Sequence, residues 1–300
     1  MKTFKNKVAV ITGAASGFGR EFAHSGAKLG MKLVLADVFQ KGLDETIAEL
    51  KASGAEVVGM RCDVSKGEEV EALAKLAIDS FGGLNLVFNN AGVGSGGLVW
   101  ENTVKDWEWV LGVNVWGVIH GVRVFTPLML AQSQREPDYE GYIVNTASMA
   151  GLLSPQLMGA YNVSKHAVVA LSETLFHDLN AVNAKINCSV LCPAFVPTGI
   201  SQSHRSRPED LKNTSEPTES MKVAQTMTHK AVSSGKLTAA DVAEITFKAI
   251  AENRFYIITH PKIMATVKIR LEDLEHMTNP RDPFALKEEN RPHLENKLAG

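Results

Sequence analysis

The sequence predicts one doubly wound α/β domain built on a seven-stranded parallel sheet. Seven short runs of Val, Ile and Leu recur along the chain without alternating polar residues, as in strands whose two faces are both buried. Amphipathic helical patterns separate the runs, and a repeating order of strand and helix is typical of a sheet covered by helices on both sides. The predicted strands are 7–13, 32–37, 56–64, 84–92, 142–148, 185–193 and 254–260.

The helical patterns fall where this architecture requires them. Each lies between two predicted strands, and the clearest are 43–53, 68–81, 103–131 and 161–182. Strands and helices together predict one domain over residues 1–260.

Two regions interrupt the regular alternation. Residues 199–235, between the sixth and seventh strands, are polar and contain Pro208 and Pro217. A long connection at this place in a compact domain is usually a lid or a binding segment, so a substrate lid is predicted; a flexible solvated insertion is the alternative. Residues 261–300 are predicted to form a C-terminal extension, which begins with a helical pattern at 263–277 and whose function the sequence does not indicate.

Composition and charge restrict the class of protein. Hydrophobic residues make up 45% of the chain and the net charge is -2, which fits a soluble globular protein with no attraction to nucleic acid or to an anionic membrane. No apolar run approaches the roughly 20 residues of a membrane span. The three cysteines form no CxxC motif, which favours a reduced cytoplasmic protein. The histidines lack a metal-binding spacing, so no metal site is predicted.

A glycine-rich segment, TGAASGFGR at 12–20, joins the first predicted strand to the first helix. Gly13, Gly17 and Gly19 permit a tight turn and let backbone N–H groups approach a pyrophosphate, and the positive end of the helix faces the same point. Three glycines alone are a weak signal. Between a first strand and a first helix they predict a dinucleotide-binding loop, which also includes Ser16 and Phe18.

Asp37 ends the second predicted strand, 20 residues after Gly17. A carboxylate at this place accepts hydrogen bonds from the ribose hydroxyls of adenosine and repels a 2′-phosphate. The residues just before Gly17 and just after Asp37 are Ser16 and Val38, and neither is basic. NAD is therefore predicted as the cofactor, and NADP is less favoured. Capping of the next helix is the alternative role of Asp37.

A second acidic residue ends the third predicted strand. Asp63 and Val64 are predicted there to border the adenine of the cofactor. Asp63 is also placed to cap the following helix, and the two roles are compatible.

The segment YNVSK, at 161–165, places a tyrosine four residues before a lysine on a predicted helix. Residues i and i+4 share one helix face, about 6 Å apart along the axis, so Tyr161 and Lys165 are expected in one pocket. The pKa of a free tyrosine is about 10, and a nearby ammonium is expected to lower it. Such a tyrosine can take a proton from an alcohol or return one to an alkoxide, which predicts general acid–base chemistry. A helix surface contact is the alternative for the pair alone.

These motifs occur in the order found in the short-chain dehydrogenases/reductases, a family that the chain resembles over about residues 5–260. The glycine loop matches the family's cofactor loop, and NNAG at 89–92 matches the motif at the end of its fourth strand. Asn114, Ser148, the YNVSK segment and PAFVPT at 193–198 complete the set. The resemblance implies a Rossmann fold and a nicotinamide-dependent alcohol dehydrogenase or carbonyl reductase.

The resemblance also implies the catalytic roles. Ser148 would hydrogen-bond the substrate oxygen, Tyr161 would transfer the proton and Lys165 would hold the nicotinamide ribose. Asn114 would fix a water molecule that links Lys165 to solvent. Taken singly, these residues have ordinary alternatives: Asn114 can satisfy a backbone group, and Ser148 can cap a helix.

Further cofactor contacts are implied after the fourth and sixth strands. Thr198 would bind the nicotinamide carboxamide, or alternatively cap a helix that begins at residue 199. Asn90 and Gly92 would shape the wall near the cofactor ribose; the alternative is that they simply form a turn, which both residue types favour. These contacts are expected at Asn90, Ala91, Gly92, Pro193, Val196 and Thr198.

The chain departs from the family pattern at three places. Ala194 stands where a glycine usually follows the proline of the last motif, and 254–260 lacks the glycine-rich ending common in tetrameric members. The chain also continues through 261–300, beyond the family's usual end. The resemblance still implies a homodimer or homotetramer, in which the helices at 103–131 and 161–182 pair with their copies.

The predicted substrate is a hydrophobic secondary alcohol or ketone. Apolar and flexible side chains follow the strand ends that would surround it, which suits such a molecule. No arginine is placed to hold an acidic group, apart from Arg205 and Arg207 on the lid. Leu152 and Leu153 fit the core as well as they fit the pocket. Besides Ser148 and Tyr161, the predicted pocket residues are Val93, Leu98, Met149, Leu152, Leu153, Met158 and Phe195.

Three other functions fit parts of the pattern. A non-catalytic nucleotide sensor of the same fold would keep the glycine loop, but such proteins typically lose the tyrosine or the lysine. An epimerase or dehydratase of the superfamily would have a different glycine spacing and a longer substrate domain. A reductase of carrier-linked ketoacyl chains would need a basic docking patch, which the composition does not indicate.

Overall fold

The computed structural model describes residues 1–283, and their core is one parallel sheet. The strands are β1 (Val8–Thr12), β2 (Lys32–Asp37), β3 (Val57–Arg61), β4 (Leu86–Asn89), β5 (Gly141–Thr146), β6 (Ile186–Cys192) and β7 (Tyr256–Ile258). They lie in the order β3-β2-β1-β4-β5-β6-β7, and every neighbouring pair is parallel. The predicted doubly wound seven-stranded sheet is therefore confirmed.

Helices connect the strands and cover both faces of the sheet. Two of them begin with a capping box, which satisfies N–H groups of the first turn. The boxes are formed by Thr103 with Asp106 and by Thr238 with Asp241. Within residues 1–283 the α-helices are α1 (Gly17–Lys28), α2 (Gln40–Ala52), α3 (Gly67–Phe81), α4 (Val104–Leu111), α5 (Gly117–Arg135), α6 (Gly159–Ala181), α7 (Glu219–Ser233), α8 (Ala239–Ala251) and α9 (Met264–Glu275).

An apolar core lies on each face of the sheet. On one face α1 packs against α8, and Phe22 stacks on Phe88 of β4 with ring centroids 4.4 Å apart. On the other face α3 packs against α5, with Leu73 and Phe125 fully buried. Because both faces are covered, consecutive strand positions are apolar, which is the pattern that the sequence shows.

Several strands end earlier than the predicted runs. β3 stops at Arg61 and β4 at Asn89, whereas the runs continue to residues 64 and 92. The following residues leave the sheet because their polar groups bond elsewhere: the amides of Asn90 and Ala91 both donate to Thr12 Oγ1, at 2.9 and 3.1 Å. These short loops at the carboxyl ends of the strands form the candidate site.

A long apolar helical segment runs through α4 and α5. A π-helical turn, Gly112–Trp116, joins the two helices, and α5 contains Pro127. By length and composition alone, this 32-residue segment is the one helix among residues 1–283 that could cross a membrane. Its inner side packs on α3, β4 and β5, whereas its outer side leaves apolar side chains such as Trp116 exposed.

Within residues 1–283, the two regions that interrupt the strand–helix alternation are both largely helical. The segment 199–235, which we name the lid segment, contains the 3-10 turns Gly199–Ser206 and Glu209–Leu211 and then α7. After β7, the predicted extension begins with the 3-10 turn Pro261–Ile263, which α9 follows. The remainder of that extension, 284–300, lies outside the described residues.

Candidate active site

The loops that follow β1 to β6 enclose one large cleft along the carboxyl edge of the sheet. The strand order changes direction between β1 and β4, which is where ligands bind in open α/β sheets. The cleft has a volume of about 1490 Å³, and residues of the lid segment form one of its sides.

The glycine loop forms the wall between β1 and α1. Gly13 and Gly17 have φ values of +69° and +52°, in the region that favours glycine. A Cβ on Gly19 would lie 2.1 Å from the carbonyl oxygen of Gly13, so only glycine allows this approach. Ser16, at the N-cap of α1, accepts no hydrogen bond from the first turn, and that turn has no acidic residue. The uncapped N–H groups therefore fit an anionic phosphate, with Ser16 and Phe18 lining the cleft beside them.

Asp37 lies at the end of β2 and faces the glycine loop. Its two carboxylate oxygens accept hydrogen bonds from the amides of Ala15 and Phe39, both at 2.9 Å. The N-cap of α2 is Phe39, so the capping role considered for Asp37 is not observed. Burial raises the pKa of Asp37 above its usual value, although the backbone hydrogen bonds act in the opposite direction. Each oxygen retains a lone pair that can accept from a ribose hydroxyl.

Asp63 and Val64 follow β3 and line the same cleft. Asp63 Oδ1 accepts hydrogen bonds from the amide and the hydroxyl of Ser65, at 3.0 and 2.7 Å. The N-cap of α3 is Lys66. Asp63 therefore shapes the loop after β3 and does not cap the helix.

Asn90, which follows β4, forms hydrogen bonds with the ends of β1 and β5. Its Nδ2 donates to the Thr12 carbonyl at 2.9 Å, and its Oδ1 accepts from Thr146 Oγ1 at 3.3 Å. Residues 90–92 line the cleft, as the resemblance implies. A Cβ on the last of them, Gly92, would lie 3.5 Å from the Lys165 ammonium. Residues 90–92 therefore lie between the glycine loop and Lys165.

Tyr161 and Lys165 lie on the inner face of α6 and are 8% and 2% exposed. Lys165 Nζ lies 5.6 Å from the centre of the Tyr161 ring and donates a hydrogen bond to the Thr146 carbonyl at 3.0 Å. The four-residue spacing thus places both side chains at one point of the cleft.

The pKa of Tyr161 differs from the expectation. Burial raises it to about 12, and a hydrogen bond with Ser148 acts in the opposite direction. Burial also lowers the pKa of Lys165 to about 8, because an ammonium removed from water is poorly solvated. Desolvation is the largest influence on both groups, so the expected lowering of the tyrosine pKa is not found. The chain's own residues hold Tyr161 as a neutral phenol, the form that donates a proton.

Ser148 lies on the loop after β5 and faces Tyr161. It is the N-cap of the 3-10 turn Met149–Gly151: its Oγ accepts from the Ala150 amide at 3.1 Å and donates to the Pro193 carbonyl at 3.4 Å. The capping role and the contact with Tyr161 therefore occur together. Two hydroxyl groups side by side can bind one oxygen atom of a substrate.

Asn114 lies in the π-helical turn and is fully buried. Its Oδ1 accepts from the Val93 amide at 2.8 Å, and its Nδ2 donates to the Val93 carbonyl at 2.9 Å and to Ser164 Oγ at 3.0 Å. Asn114 thus satisfies backbone groups, and its side chain lies behind the cleft wall. Ser164 Oγ in turn donates to the Tyr161 carbonyl, which couples Asn114 to the first turns of α6. The water relay implied by the resemblance stays a prediction.

The segment after β6 passes over the glycine loop. Its Thr198 side chain lies close to Gly17, where an added Cβ would be 3.3 Å from Thr198 Cβ. Thr198 is the N-cap of the turn Gly199–Ser206 but makes no side-chain capping bond. Ala194 has no positive φ, so alanine replaces the usual glycine without strain. The residues of this segment that line the cleft include Pro193, Val196 and Thr198.

The substrate side of the cleft is lined by part of the predicted set. Met149, Met158 and Phe195 border the cleft, as does Val93. Leu153 does not: it is 1% exposed and packs with Met149 and Val267 of α9. Leu153 therefore lies outside the cleft lining, because a helix of the C-terminal extension covers its side chain, and its contact with substrate stays a prediction.

The other two predicted pocket leucines do not reach the cleft wall either. Leu98 and Leu152 are absent from the residues that line it, and Leu152 packs in the apolar clusters behind β6. The alternative core role is the one observed for Leu152. The apolar character that suggested a pocket serves helix packing here.

Arg207 is not available to hold an acidic substrate. Its Nη1 donates to Asp106 Oδ1 at 2.6 Å, and its guanidinium lies over the Trp109 ring, 5.0 Å from the centroid. Only 11% of the Arg207 side chain is exposed. Arg205 is exposed and bonds Gln202 of the same turn. The sequence could not show this difference, because the partner of Arg207 is distant in the chain.

Two contributors to the site were missed from the sequence. Thr146 holds Lys165 through its backbone carbonyl, and a backbone contact leaves no mark on residue type. Val267 of α9 is 6% exposed and packs behind Met149. The apolar spacing at 263–277 indicated a helix, but it did not indicate where the helix docks.

Comparisons with known proteins agree with the geometry. A family model described as short chain dehydrogenase matches residues 7–209. The chain is 34% identical to the CLA biosynthesis dehydrogenase/reductase of Lactiplantibacillus plantarum, over 91% of this chain and 94% of that protein. It is 32% identical to the C alpha-dehydrogenase of a Sphingobium species, over 88% of this chain and 83% of that protein.

A solved structure is closely similar as well. It is a short chain dehydrogenase/reductase from Burkholderia phymatum in complex with NAD, 59% identical, with a TM-score of 0.92. The match covers 94% of this chain and 99% of that chain. The similarity therefore extends through the lid segment and α9, beyond the region that the family model matches.

Proposed function

The chain belongs to the short-chain dehydrogenase/reductase family of oxidoreductases, and we propose that it transfers hydride between NAD(H) and a hydrophobic secondary alcohol or ketone. The observation that carries the proposal is the buried set of Ser148, Tyr161 and Lys165. It lies in a cleft whose glycine loop and Asp37 fit a dinucleotide.

The roles of the residues follow from their chemistry. The bound nicotinamide supplies or accepts the hydride. Tyr161, held as a phenol, donates its proton to the oxygen of a carbonyl substrate and becomes a phenolate; in the reverse reaction the phenolate form takes the proton of the alcohol and the phenol is restored. Ser148 donates a hydrogen bond to the same oxygen and stabilises the charge that develops there. Lys165 presents its ammonium beside both, fixed by the Thr146 carbonyl.

The preference for NAD rests on charge near the end of β2. A 2′-phosphate would bring nearly two negative charges close to the Asp37 carboxylate, which disfavours NADP. Arg20, one turn into α1, is paired with Glu49 at 2.6 Å and so is not free to compensate. The structure of the Burkholderia phymatum protein is a complex with NAD, which supports a nicotinamide cofactor.

The substrate class rests on the wall of the cleft beside Ser148. Met149, Met158 and Phe195 offer an apolar and adaptable surface there. Relatives named as a dehydrogenase/reductase and a C alpha-dehydrogenase support a redox reaction at an alcohol or carbonyl group. A nucleotide sensor is less well supported, because such a protein has no need of the buried tyrosine and lysine.

We also propose a homodimer or homotetramer in the cytoplasm. The helical segment 104–135 leaves the apolar side chains of Val104 and Trp116 exposed on its outer side. Val163 on α6 is also exposed. A second copy of the chain would cover these side chains. Light scattering tests the oligomer, and a molar mass equal to that of a monomer would contradict it. The free and buried state of all three cysteines supports a reducing compartment.

The proposed activity is tested with the purified protein and a panel of secondary alcohols and ketones. NADH formation or consumption is followed by absorbance, and each cofactor is compared by kcat/KM. We expect turnover of apolar members of the panel, with NAD used more efficiently than NADP. Tight NAD binding without turnover of any member would favour the sensor function instead.

A further inference from the structure

The lid segment is attached to the start of α4 by a buried polar cluster. Asp106 accepts a hydrogen bond from Arg207 Nη1 at 2.6 Å and from Asn213 Nδ2 at 3.0 and 3.2 Å. The Thr103 amide donates to the same carboxylate at 2.8 Å, and Thr103 Oγ1 reaches Asn213 Oδ1 at 2.8 Å. We name Thr103, Asp106, Arg207 and Asn213 the lid tether. Two of its members come from α4 and its cap, and two from the lid segment.

The lid tether differs from the ion pairs on the surface of the lid segment. The side chains of Asp106 and Arg207 are 7% and 11% exposed, whereas those of Lys212 and Glu209 are 51% and 87% exposed. An exposed pair contributes little because water solvates both charges. Loss of one partner of a buried pair leaves an uncompensated charge away from water, which is strongly unfavourable. Loss of the lid tether should therefore destabilise the attachment of the lid segment more than loss of the exposed ion pair.

The lid tether rests on the apolar cluster that backs the catalytic residues. Arg207 lies over Trp109, which packs with Val93 and Ala160, and Leu211 of the lid segment packs against the same cluster. Val93 is the backbone partner of Asn114, and Ala160 precedes Tyr161. A change in the lid tether thus reaches both the lid segment and the wall behind the catalytic pair.

Further polar contacts hold the lid segment to the loop after β4. The Gly94 amide donates to Ser203 Oγ at 3.1 Å. The Leu98 amide donates to Ser220 Oγ at 2.9 Å, and Glu101 accepts from the hydroxyl of Ser220. These contacts lie near the two ends of the stretch 203–220. The lid tether holds its middle and carries its buried charge.

We propose that Asp106 and Arg207 are positioning residues that hold the lid segment closed over the substrate side of the cleft. Neither residue is placed on the reacting atoms; their effect passes through the lid segment and the Trp109 cluster. The proposal rests on the proposed function only for its kinetic consequence. If the lid segment is closed in a fraction of molecules, the apparent affinity for substrate falls by that fraction, and KM rises while kcat is retained.

The test compares three variants of the lid tether with one control. Arg207→Met keeps a long apolar stem over Trp109 but removes the charge, and Arg207→Lys restores a charge without the planar fork. Asn213→Ala removes a neutral contact and leaves the buried ion pair in place, so it keeps the test valid if Arg207→Met folds poorly. Glu209→Gln removes the exposed ion pair of the same segment and serves as the control.

Two measurements are made on each variant. Hydrogen exchange of amides 199–218 is followed by mass spectrometry in the purified protein, without any substrate. We expect exchange at least about fivefold faster in Arg207→Met and a smaller increase in Asn213→Ala and Arg207→Lys. With the best alcohol of the panel, we expect Arg207→Met to raise KM about tenfold or more and to change kcat less than about threefold. Glu209→Gln should match the wild type in both.

Unchanged lid exchange in Arg207→Met would overturn the proposal, as would a lower unfolding temperature with wild-type KM, since that is a purely structural role. The exchange measurement needs no turnover. If the panel yields no activity, the proposed function fails, while lid exchange still decides whether the lid tether closes the cleft.

Discussion

The ammonium nitrogen of Lys165 lies 5.6 Å from the centre of the Tyr161 ring, with both side chains almost entirely removed from water. The Thr146 carbonyl is the hydrogen-bond partner that fixes the lysine at this distance. Burial acts on the two groups in opposite directions, keeping the phenol protonated and making the ammonium easier to neutralise. The pair is thus a neutral phenol beside an ammonium that loses its proton more easily than a free lysine, and the proposed proton transfer requires the lysine to stay charged.

Removal of the lysine charge should therefore impair turnover strongly. In Lys165→Met the tyrosine loses its neighbouring ammonium, and kcat/KM should fall by about 10²-fold or more. The measurement is steady-state kinetics with the best alcohol. Lys75→Met, which removes an exposed lysine paired with Asp79 on α3, is the matched control and should be unchanged. Near wild-type kinetics in Lys165→Met would contradict the assigned role.

Cofactor preference should depend on Asp37. Asp37→Ala removes the carboxylate that faces the ribose site, so kcat/KM with NAD should fall about tenfold or more while that with NADP rises. Asp44→Asn, on the exposed side of α2 where it bonds Gln40, is the control. An unchanged ratio of the two kcat/KM values would show that Asp37 does not set the preference.

The C-terminal helix should influence the substrate site through Met149. Val267→Ala leaves a gap behind Met149 and should lower the free energy of unfolding by about 1–3 kcal/mol and raise KM. Leu271→Ala changes a residue of the same helix that is 53% exposed, so it should alter neither quantity. Equal effects of the two substitutions on KM would mean that α9 does not support the cleft wall.

Stability should fall in alkaline solution. Burial raises the pKa values of the three thiols from 9.0 and of three tyrosines from 10.0 to about 12, and it raises the pKa of Tyr139 as well. Above about pH 9 the unfolded chain therefore releases more protons than the folded chain. Lys165 acts in the opposite direction between about pH 8 and 10.5, because its folded pKa is the lower one, but it is one group. The seven groups that oppose it are Cys62, Cys188, Cys192, Tyr139, Tyr142, Tyr161 and Tyr256.

The measurement is thermal unfolding under reducing conditions. We expect a lower midpoint at about pH 10 than at about pH 8. Cys188→Ala should reduce the difference between the two midpoints, since it removes one of the groups that lose a proton on unfolding. A midpoint that is constant or rises over this range would contradict the burial of these groups.

The sheet and much of the site were predictable because local patterns determine them. Consecutive apolar residues indicated buried strands, and the four-residue spacing of Tyr161 and Lys165 indicated a shared helix face. Both depend on residues close together in the chain. The sequence also predicted that the cofactor and catalytic residues lie in one cleft, because the carboxyl ends of parallel strands meet at one edge of a sheet.

The features that the sequence did not indicate depend on distant contacts. Arg207 appeared free until the fold placed it beside Asp106, and Leu153 appeared to belong to the pocket until α9 covered it. The pKa of Tyr161 was expected to fall because the sequence shows the lysine but not the depth of burial, and burial has the larger effect. The side-chain partners of Asn114, Val93 and Ser164, are likewise distant in the chain, and the relay role of Asn114 stays a prediction.

The most direct measurement of the central claim is the rate of NADH formation by Tyr161→Phe compared with the wild type. The substitution removes only the phenolic oxygen, and NAD binding, measured by fluorescence, checks that the cleft is intact. If Tyr161 transfers the proton, kcat should fall by about 10³-fold or more while the Kd for NAD stays within about twofold. Wild-type turnover in Tyr161→Phe would show that the proton moves by another route and would contradict the proposed function of the Tyr161 site.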